Sequence, residues 1–264
     1  MILWRLIISP PSDGATNMAI DEALFKYSDQ PTLRFYSWSS PTLSLGYFQK
    51  EDPRLINKCK ENGIDVVRRP TGGRAVLHDN EITYSVVSSY ENFPKPSTLK
   101  GIYKALAQWQ VASFETIGLE TTLSGGVSSR QQSYVTNDAC FLTSIQSEVL
   151  VKGKKICGSA QKRGNDSFLQ HGSIPVDLNE QQFLNITGER EKALDAFTTL
   201  KKEGYEGTAG EFIALMSRKF EEVLRCKLIS GSISDSEMKK TFFLKKEKYD
   251  EFLRQVNRKI FTPK

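Results

Sequence analysis

The sequence predicts an α+β fold, and two patterns carry that prediction. Through the first two-thirds of the chain, short segments rich in aromatic and β-branched residues recur. They are not arranged in the strand-helix-strand alternation of a doubly wound parallel sheet. From about Leu178 onward the apolar spacing turns helical, with Phe212, Met216, Phe220 and Val223 on one stripe and a last amphipathic segment from Ser236 to Val256. Mixed, mostly antiparallel sheets with helices on one side, followed by a helical tail, are therefore expected.

The elements follow in order. The apolar run Met1–Ile8 reads as a first strand, because it is too short for a signal-peptide core and no small-residue cleavage site follows it. Asn17 caps a helix through Tyr27, with Ile20, Ala23, Leu24 and Tyr27 on one face. Residues 32–38 and 42–48 form a hairpin or a pair of neighbouring strands around Ser39-Ser40-Pro41. A helix from Pro53 to Lys60 ends at Gly63, and a strand from Ile64 stops before Pro70. Residues 75–77 and 82–87 read as strands joined through His78-Asp79-Asn80-Glu81. Ser97 caps a long helix that bears Ile102, Leu106, Trp109 and Ser113 and ends near Gly118. Residues 124–138 have no periodicity and read as a mobile loop of the length that lids use. Val149–Val151 returns as Lys155–Cys157 in a hairpin, and Phe168–Val176 is a further strand.

Composition excludes several classes. The 264 residues are 39% hydrophobic, and no apolar run nears the roughly 20 residues of a membrane span, so no membrane association is expected. The four cysteines (Cys59, Cys140, Cys157 and Cys226) form no C-x-x-C pair, which argues against a zinc cage and a disulfide framework and for a reducing cytoplasm. Net charge is +5, but the basic residues are scattered and not interleaved with aromatics as a nucleic-acid platform requires. Nothing in the sequence demands more than a monomer.

Three segments carry chemistry. Arg68-Arg69-Pro70-Thr71-Gly72-Gly73-Arg74, followed by His78, sets three arginines around a double glycine. There backbone N–H groups and positive charge can approach a phosphate or an acyl carbonyl; a tight turn with solvated arginines is the alternative. No Walker G-x-x-x-x-G-K-[ST] and no G-x-G-x-x-G occurs, which speaks against common nucleotide binding. Lys154-Lys155-Ile156-Cys157-Gly158-Ser159-Ala160-Gln161 precedes Gln170-His171-Gly172-Ser173. If Ile156 faces the core, strand alternation turns Lys155 toward a cleft or solvent. Cys140, in Asn137-Asp138-Ala139-Cys140-Phe141, is either a thioester nucleophile or a small buried hydrophobe.

Taken together, Asn17-Met18-Ala19-Ile20-Asp21-Glu22-Ala23-Leu24, Leu33-Arg34-Phe35-Tyr36, Leu45-Gly46-Tyr47-Phe48-Gln49, the Arg-Arg-Pro-Thr-Gly-Gly block, and Lys-Lys-x-x-Gly-Ser-Ala-Gln with its Gln-His-Gly-Ser partner resemble successive blocks of the lipoate-protein ligase and octanoyltransferase superfamily. They span residues 4 to 178 in the expected order. Within it the chain resembles the LipM-type octanoyltransferases, in which a Cys-Phe pair precedes the lysine of the Gly-Ser-Ala block. Cys140-Phe141 and Lys155 hold those positions, with Glu148 between them.

The resemblance implies a biotin/lipoate ligase-like catalytic domain over residues 1–210 and a helical extension over 211–264 packed on it. It implies a cytoplasmic enzyme that moves octanoyl from acyl carrier protein to a lysine of a lipoyl domain or glycine cleavage H protein. Cys140 and Lys155 would be catalytic. Arg68, Arg69, Gly72, Gly73, His78, Gly158, Ser159, Ala160, His171 and Gly172 would bind substrate. No metal or cofactor is expected; ATP and Mg enter only if the chain is instead an ATP-dependent lipoate ligase. Cys157 departs from the small residue usual at its position, and burial is its expected fate.

Overall fold

The computed structural model describes residues 2–93, 97–124 and 148–261. At its centre lies a six-stranded sheet in the order β10 (Gly158–Arg163), β11 (Ser167–Pro175), β6 (Glu81–Ser89), β2 (Thr32–Tyr36), β1 (Leu3–Ile8) and β12 (Lys227–Ser230). The first four strands pair antiparallel, while β1 runs parallel to β2 and β12 parallel to β1. Two three-stranded sheets flank it: β4 (Asp65–Arg68), β3 (Thr42–Leu45) and β5 (Val76–His78), and then β7 (Thr121–Leu123), β8 (Val149–Val151) and β9 (Lys154–Lys155). The α+β prediction holds.

Helices cover both faces of the large sheet, not one side as the sequence predicts. On one side α3 (Leu99–Thr116) and α5 (Ala209–Leu224) bury Trp4, Leu33, Phe35, Tyr84, Trp109 and Phe220 in one continuous core, with Trp109 edge-on to both Tyr84 and Phe220. On the other side α1 (Gly14–Tyr27) packs on β6 and β11. Strand alternation then divides the chemistry of the central strands. Leu33 and Phe35 enter the apolar core, whereas Thr32, Arg34 and Tyr36 look toward α1, and all five are buried. α2 (Pro53–Glu61) and α4 (Glu180–Thr187) pack together outside the β4-β3-β5 sheet, and a 3-10 turn occupies Glu191–Ala196.

Several sequence expectations are corrected. The predicted cap Asn17 lies inside α1, whose cap is Asp13 through a bond from Thr16 N; the Asn17 side chain instead donates to the Ser12 and Ser37 carbonyls. Thr98, not Ser97, caps α3, because the Ser97 hydroxyl is taken by the Tyr90 carbonyl. β2 and β3 are no hairpin but belong to different sheets, the chain turning at Ser39-Ser40-Pro41; β5 and β6 are likewise in different sheets.

The tail read as wholly helical contains β12, which extends the main sheet beside β1. Beyond it α6 (Asp235–Leu244), a π-helical turn at Lys245–Tyr249 and α7 (Asp250–Phe261) run on as one helical stretch, of which α6 and the π turn lie against α1. Among the described residues no helix is long and apolar enough to cross a membrane.

Candidate functional site

A cleft opens on the α1 face of the large sheet. Met18, Tyr36, Trp38 and Val76 give it apolar walls, and Gly158, Ser159, Ala160, His171, Gly172 and Ser173 line it from paired β10 and β11. Ser44 and His78 approach from β3 and β5, and Lys155 from the end of β9.

Lys155 is fixed by local geometry. β8 and β9 pair Val151 with Lys154, so the connection is the two-residue turn Lys152-Gly153, both at positive φ (49° and 77°) as a tight primed hairpin turn requires. A bridge to Phe197 and a bond from Thr198 N to the Lys155 carbonyl hold the strand's other edge. The side chain is only 4% exposed, and its Nζ lies 2.6 Å from Glu148 Oε1, itself buried. Such a buried pair is held by geometry and neighbouring bonds more than by net stabilisation. Lys155 therefore faces the cleft and not solvent, as one branch of the sequence reading had it.

Two buried carboxylates organise the polar wall. Asp21 on α1 accepts from Arg34 (2.8 Å), Tyr36 (2.9 Å) and Ser85 (2.9 Å), and lies 3.1 Å from His171 Nδ1. Burial opposes its charge, but the His171 bond and the Arg34 guanidinium outweigh it and hold its pKa below the usual range. Burial pushes the His171 pKa down against the pull of Asp21, which favours the neutral ring. Its Nε2 reaches Thr71 Oγ1 at 2.6 Å and so ties the glycine turn to the sheet.

Glu81 is the second hub. It lies 2.9 Å from His78 Nδ1 and accepts from Trp38 Nε1, Thr83 and Ser173. Burial again opposes its ionisation, and His78 with the hydroxyl donors lowers its pKa nonetheless. The Trp38 indole stacks on the His78 ring at 4.1 Å, while His78 Nε2 sits 2.7 Å from Ser44 Oγ.

The arginine-glycine block divides. Arg69 lines the cleft, but its guanidinium donates to the carbonyls of Ser44, Gly72 and Arg74. Arg68 does not line it: it donates to the Gly46 and Gln49 carbonyls, pairs with Glu51 and lies over the Phe252 ring. Gly72 and Gly73 form the turn beside the cleft rather than its lining, with Gly73 at φ 93°. A Cβ on Gly46 would sit 1.8 Å from the Gly73 carbonyl oxygen, so the two backbones meet only because that side chain is absent.

Of the predicted residues, the structure gathers Arg69, His78, Lys155, Gly158, Ser159, Ala160, His171 and Gly172 around one cleft. Cys140 and the loop before it lie outside the described residues. Cys157 is buried, and burial pushes its thiol up to about 12. Sequence reasoning missed Asp21, Ser44, Trp38 and Glu81. For Asp21 a signal existed, since an acid amid the apolar positions of α1 needs a buried cation, and Arg34 stands in an otherwise apolar strand. Among the described residues no cluster of three or more His, Cys, Asp or Glu is placed to hold a metal.

Residues 13–221 match the model of the lipoyl protein ligase A/B catalytic domain, and the chain belongs to that family. Full-length relatives narrow the likeness. The chain is 33% identical over 267 residues to Octanoyltransferase LipM of Oceanobacillus iheyensis, covering 94% of this chain and 95% of the relative. It is 36% identical over 265 residues to Octanoyltransferase LipM of Clostridioides difficile, covering 94% and 96%. In fold it is similar to a crystal structure of lipoate-protein ligase A bound with ATP, with TM-score 0.77 at 23% identity over 95% of this chain and 96% of that one.

Proposed function

We propose that the protein transfers octanoyl from acyl carrier protein to a lysine of a lipoyl domain or glycine cleavage H protein, through a thioester on Cys140. The observation that carries this reading is the buried Lys155 ammonium on an apolar-walled cleft, in a chain whose full-length relatives are octanoyltransferases. The three described cysteines, Cys59, Cys157 and Cys226, are buried with thiols pushed up to about 12. At neutral pH they are thiolates in only about one part in 10⁵. A cysteine nucleophile therefore falls to Cys140.

In the first half-reaction the Cys140 thiolate attacks the donor thioester carbonyl. The new carbon–sulfur bond forms, the donor's breaks, and the donor leaves as a thiolate that takes a proton from solvent. Lys155 places positive charge beside the carbonyl oxygen as it becomes an oxyanion, with Glu148 fixing the ammonium. In the second, the neutral acceptor amine attacks, the amide forms, Cys140 departs as thiolate and the surplus amine proton leaves to solvent. The acyl group arrives activated, so no ATP or metal is consumed. The apolar cleft walls receive the alkyl chain, each buried methylene contributing about 0.8 kcal/mol.

Intact mass after incubation with octanoyl-acyl carrier protein tests this. An octanoyl adduct is expected on the native protein and not on Cys140→Ser. Native-rate transfer by Cys140→Ser refutes the thioester route, and acceptor modification from free lipoate and ATP alone replaces it with the ligase reaction.

A further inference from the structure

A cationic, aromatic rim adjoins the cleft, and nothing in the transfer chemistry above uses it. On β10, Ser159 and Arg163 turn to Tyr84 and Tyr90 on the α3 side, so Gly158, Ala160 and Lys162 share the α1 side. Ala160 lines the cleft; Lys162 lies one strand repeat further out, about 7 Å along.

Lys162 is half-buried, its ammonium 4.9 Å from the centre of the Tyr47 ring and 6.0 Å from that of Phe25. Tyr47 is itself tied to the cleft, since its N–H donates to the Thr71 carbonyl in the turn that His171 holds. Lys248 lies 5.9 Å from the same Tyr47 ring, and Phe48 beside it is 86% exposed.

The charges here do not balance. Lys248 and Lys26 both bind the Glu22 carboxylate, at 2.6 and 2.8 Å, and the Tyr249 hydroxyl donates to it as well. Three ammonium groups thus face one carboxylate that is already fully engaged. Among the described residues Lys162 makes no ion pair. Burial, with Lys248 and Lys26 adding to it against the pull of Glu22, pushes its pKa down, the mark of a cation short of counter-charge.

We infer that this rim binds the phosphodiester of the donor's pantetheine arm, with Lys162 as its principal contact. The inference rests on the proposed transfer reaction, because a carrier-borne thioester presents an anionic phosphate behind the acyl carbonyl. Charge complementarity and continuity with the acyl cleft select that occupant, and Tyr47 and Phe48 flank the arm. The acceptor's lysine brings a positive charge and is disfavoured by the same field.

The test titrates octanoyl-pantetheine amide, which cannot acylate a cysteine, with and without its 4′-phosphate, by calorimetry. The phosphorylated probe is expected to bind the native protein about tenfold more tightly, the size of one charged hydrogen bond. Added salt and Lys162→Met should close that gap, Lys162→Arg should keep most of it, and the unphosphorylated probe should bind native and Lys162→Met protein alike. Equal affinities for the two probes on the native protein, or an equal loss for both in Lys162→Met, overturn the inference. Should Lys162→Met fold poorly, the salt dependence of the gap on native protein decides. A phosphate preference without any octanoyl adduct from the thioester leaves the rim standing and removes only the transfer reading.

Discussion

The tail's attachment to the sheet includes a buried ion pair whose strength can be read as pH dependence. Arg5 on β1 meets Glu237 on α6 in a two-pronged contact of 2.7 and 2.8 Å, with side chains 9% and 8% exposed. Burial opposes the Glu237 charge, but Arg5 and the Ser234 N–H together lower its carboxyl to about 2 from an ordinary 4.5. A gap of about 2.5 units corresponds to about 3 kcal/mol of stability at neutral pH. Because the folded-state pKa is the lower one, that contribution is complete above about pH 5 and is lost as pH falls toward 2; at pH 3 about 1.4 kcal/mol remains. Glu237→Gln isolates the charge, since glutamine retains the capping-box bond from Ser234 N. Urea unfolding should show the variant less stable by about 3 kcal/mol at pH 7 and by less than half that at pH 3, other titrating groups cancelling between the two proteins. A difference that is the same at both pH values, or below 1 kcal/mol at pH 7, refutes the assignment.

Further outcomes follow from the site. Gly172→Ala would bring a Cβ to 2.4 Å from the Tyr84 ring, whose hydroxyl bonds Ser159, so unfolding should show a loss of about 1–3 kcal/mol and weaker acyl binding. Arg34→Met leaves the Asp21 carboxylate buried without its cation and should cost about 3–5 kcal/mol by the same measurement. Lys155→Met should slow octanoyl transfer on the order of 10²-fold or more, read as single-turnover acylation with folding verified by circular dichroism. The His171 ring should titrate below the ordinary histidine range by NMR, and Asp21→Asn should lower it further, since the partner that favours its charge is gone.

What the sequence disclosed and what it hid divide along physical lines. Periodicity placed the strands and helices well, because amphipathic spacing is local. It failed at partner choice: the 32–38 and 42–48 segments look like a hairpin, but the Ser39-Ser40-Pro41 corner sends β3 to pair with β4 and β5. The same limit hid β12, four residues of mostly exposed strand whose only reason to be extended is the edge of β1, 224 positions away between Leu3 and Lys227. In the site, the glycine and lysine blocks were legible because backbone approach and buried charge need those residue types. The arginines divide, Arg69 lining the cleft and Arg68 standing off it. Arg68 and Arg69 look like ligand donors in sequence, yet their guanidiniums hold protein carbonyls, a use that no local pattern distinguishes.

The two acids of α1 connect these observations. Asp21 and Glu22 are consecutive, about 100° apart around the helix, and so look in different directions from one turn. Asp21 looks into the sheet and, through His171 and Thr71, fixes the glycine turn at the cleft. Glu22 looks toward the tail, where Lys248 and Tyr249 of the π-helical turn close on it. Lys248 and Tyr249 are neighbours in that turn, and both side chains reach the same carboxylate. The ammonium cluster beside Tyr47 thus draws Lys248 from the tail onto Glu22, and the cleft turn is tied to the preceding residue of the same helix. A displacement of α1 would be felt at the cleft and at the Glu22 contacts of the tail together.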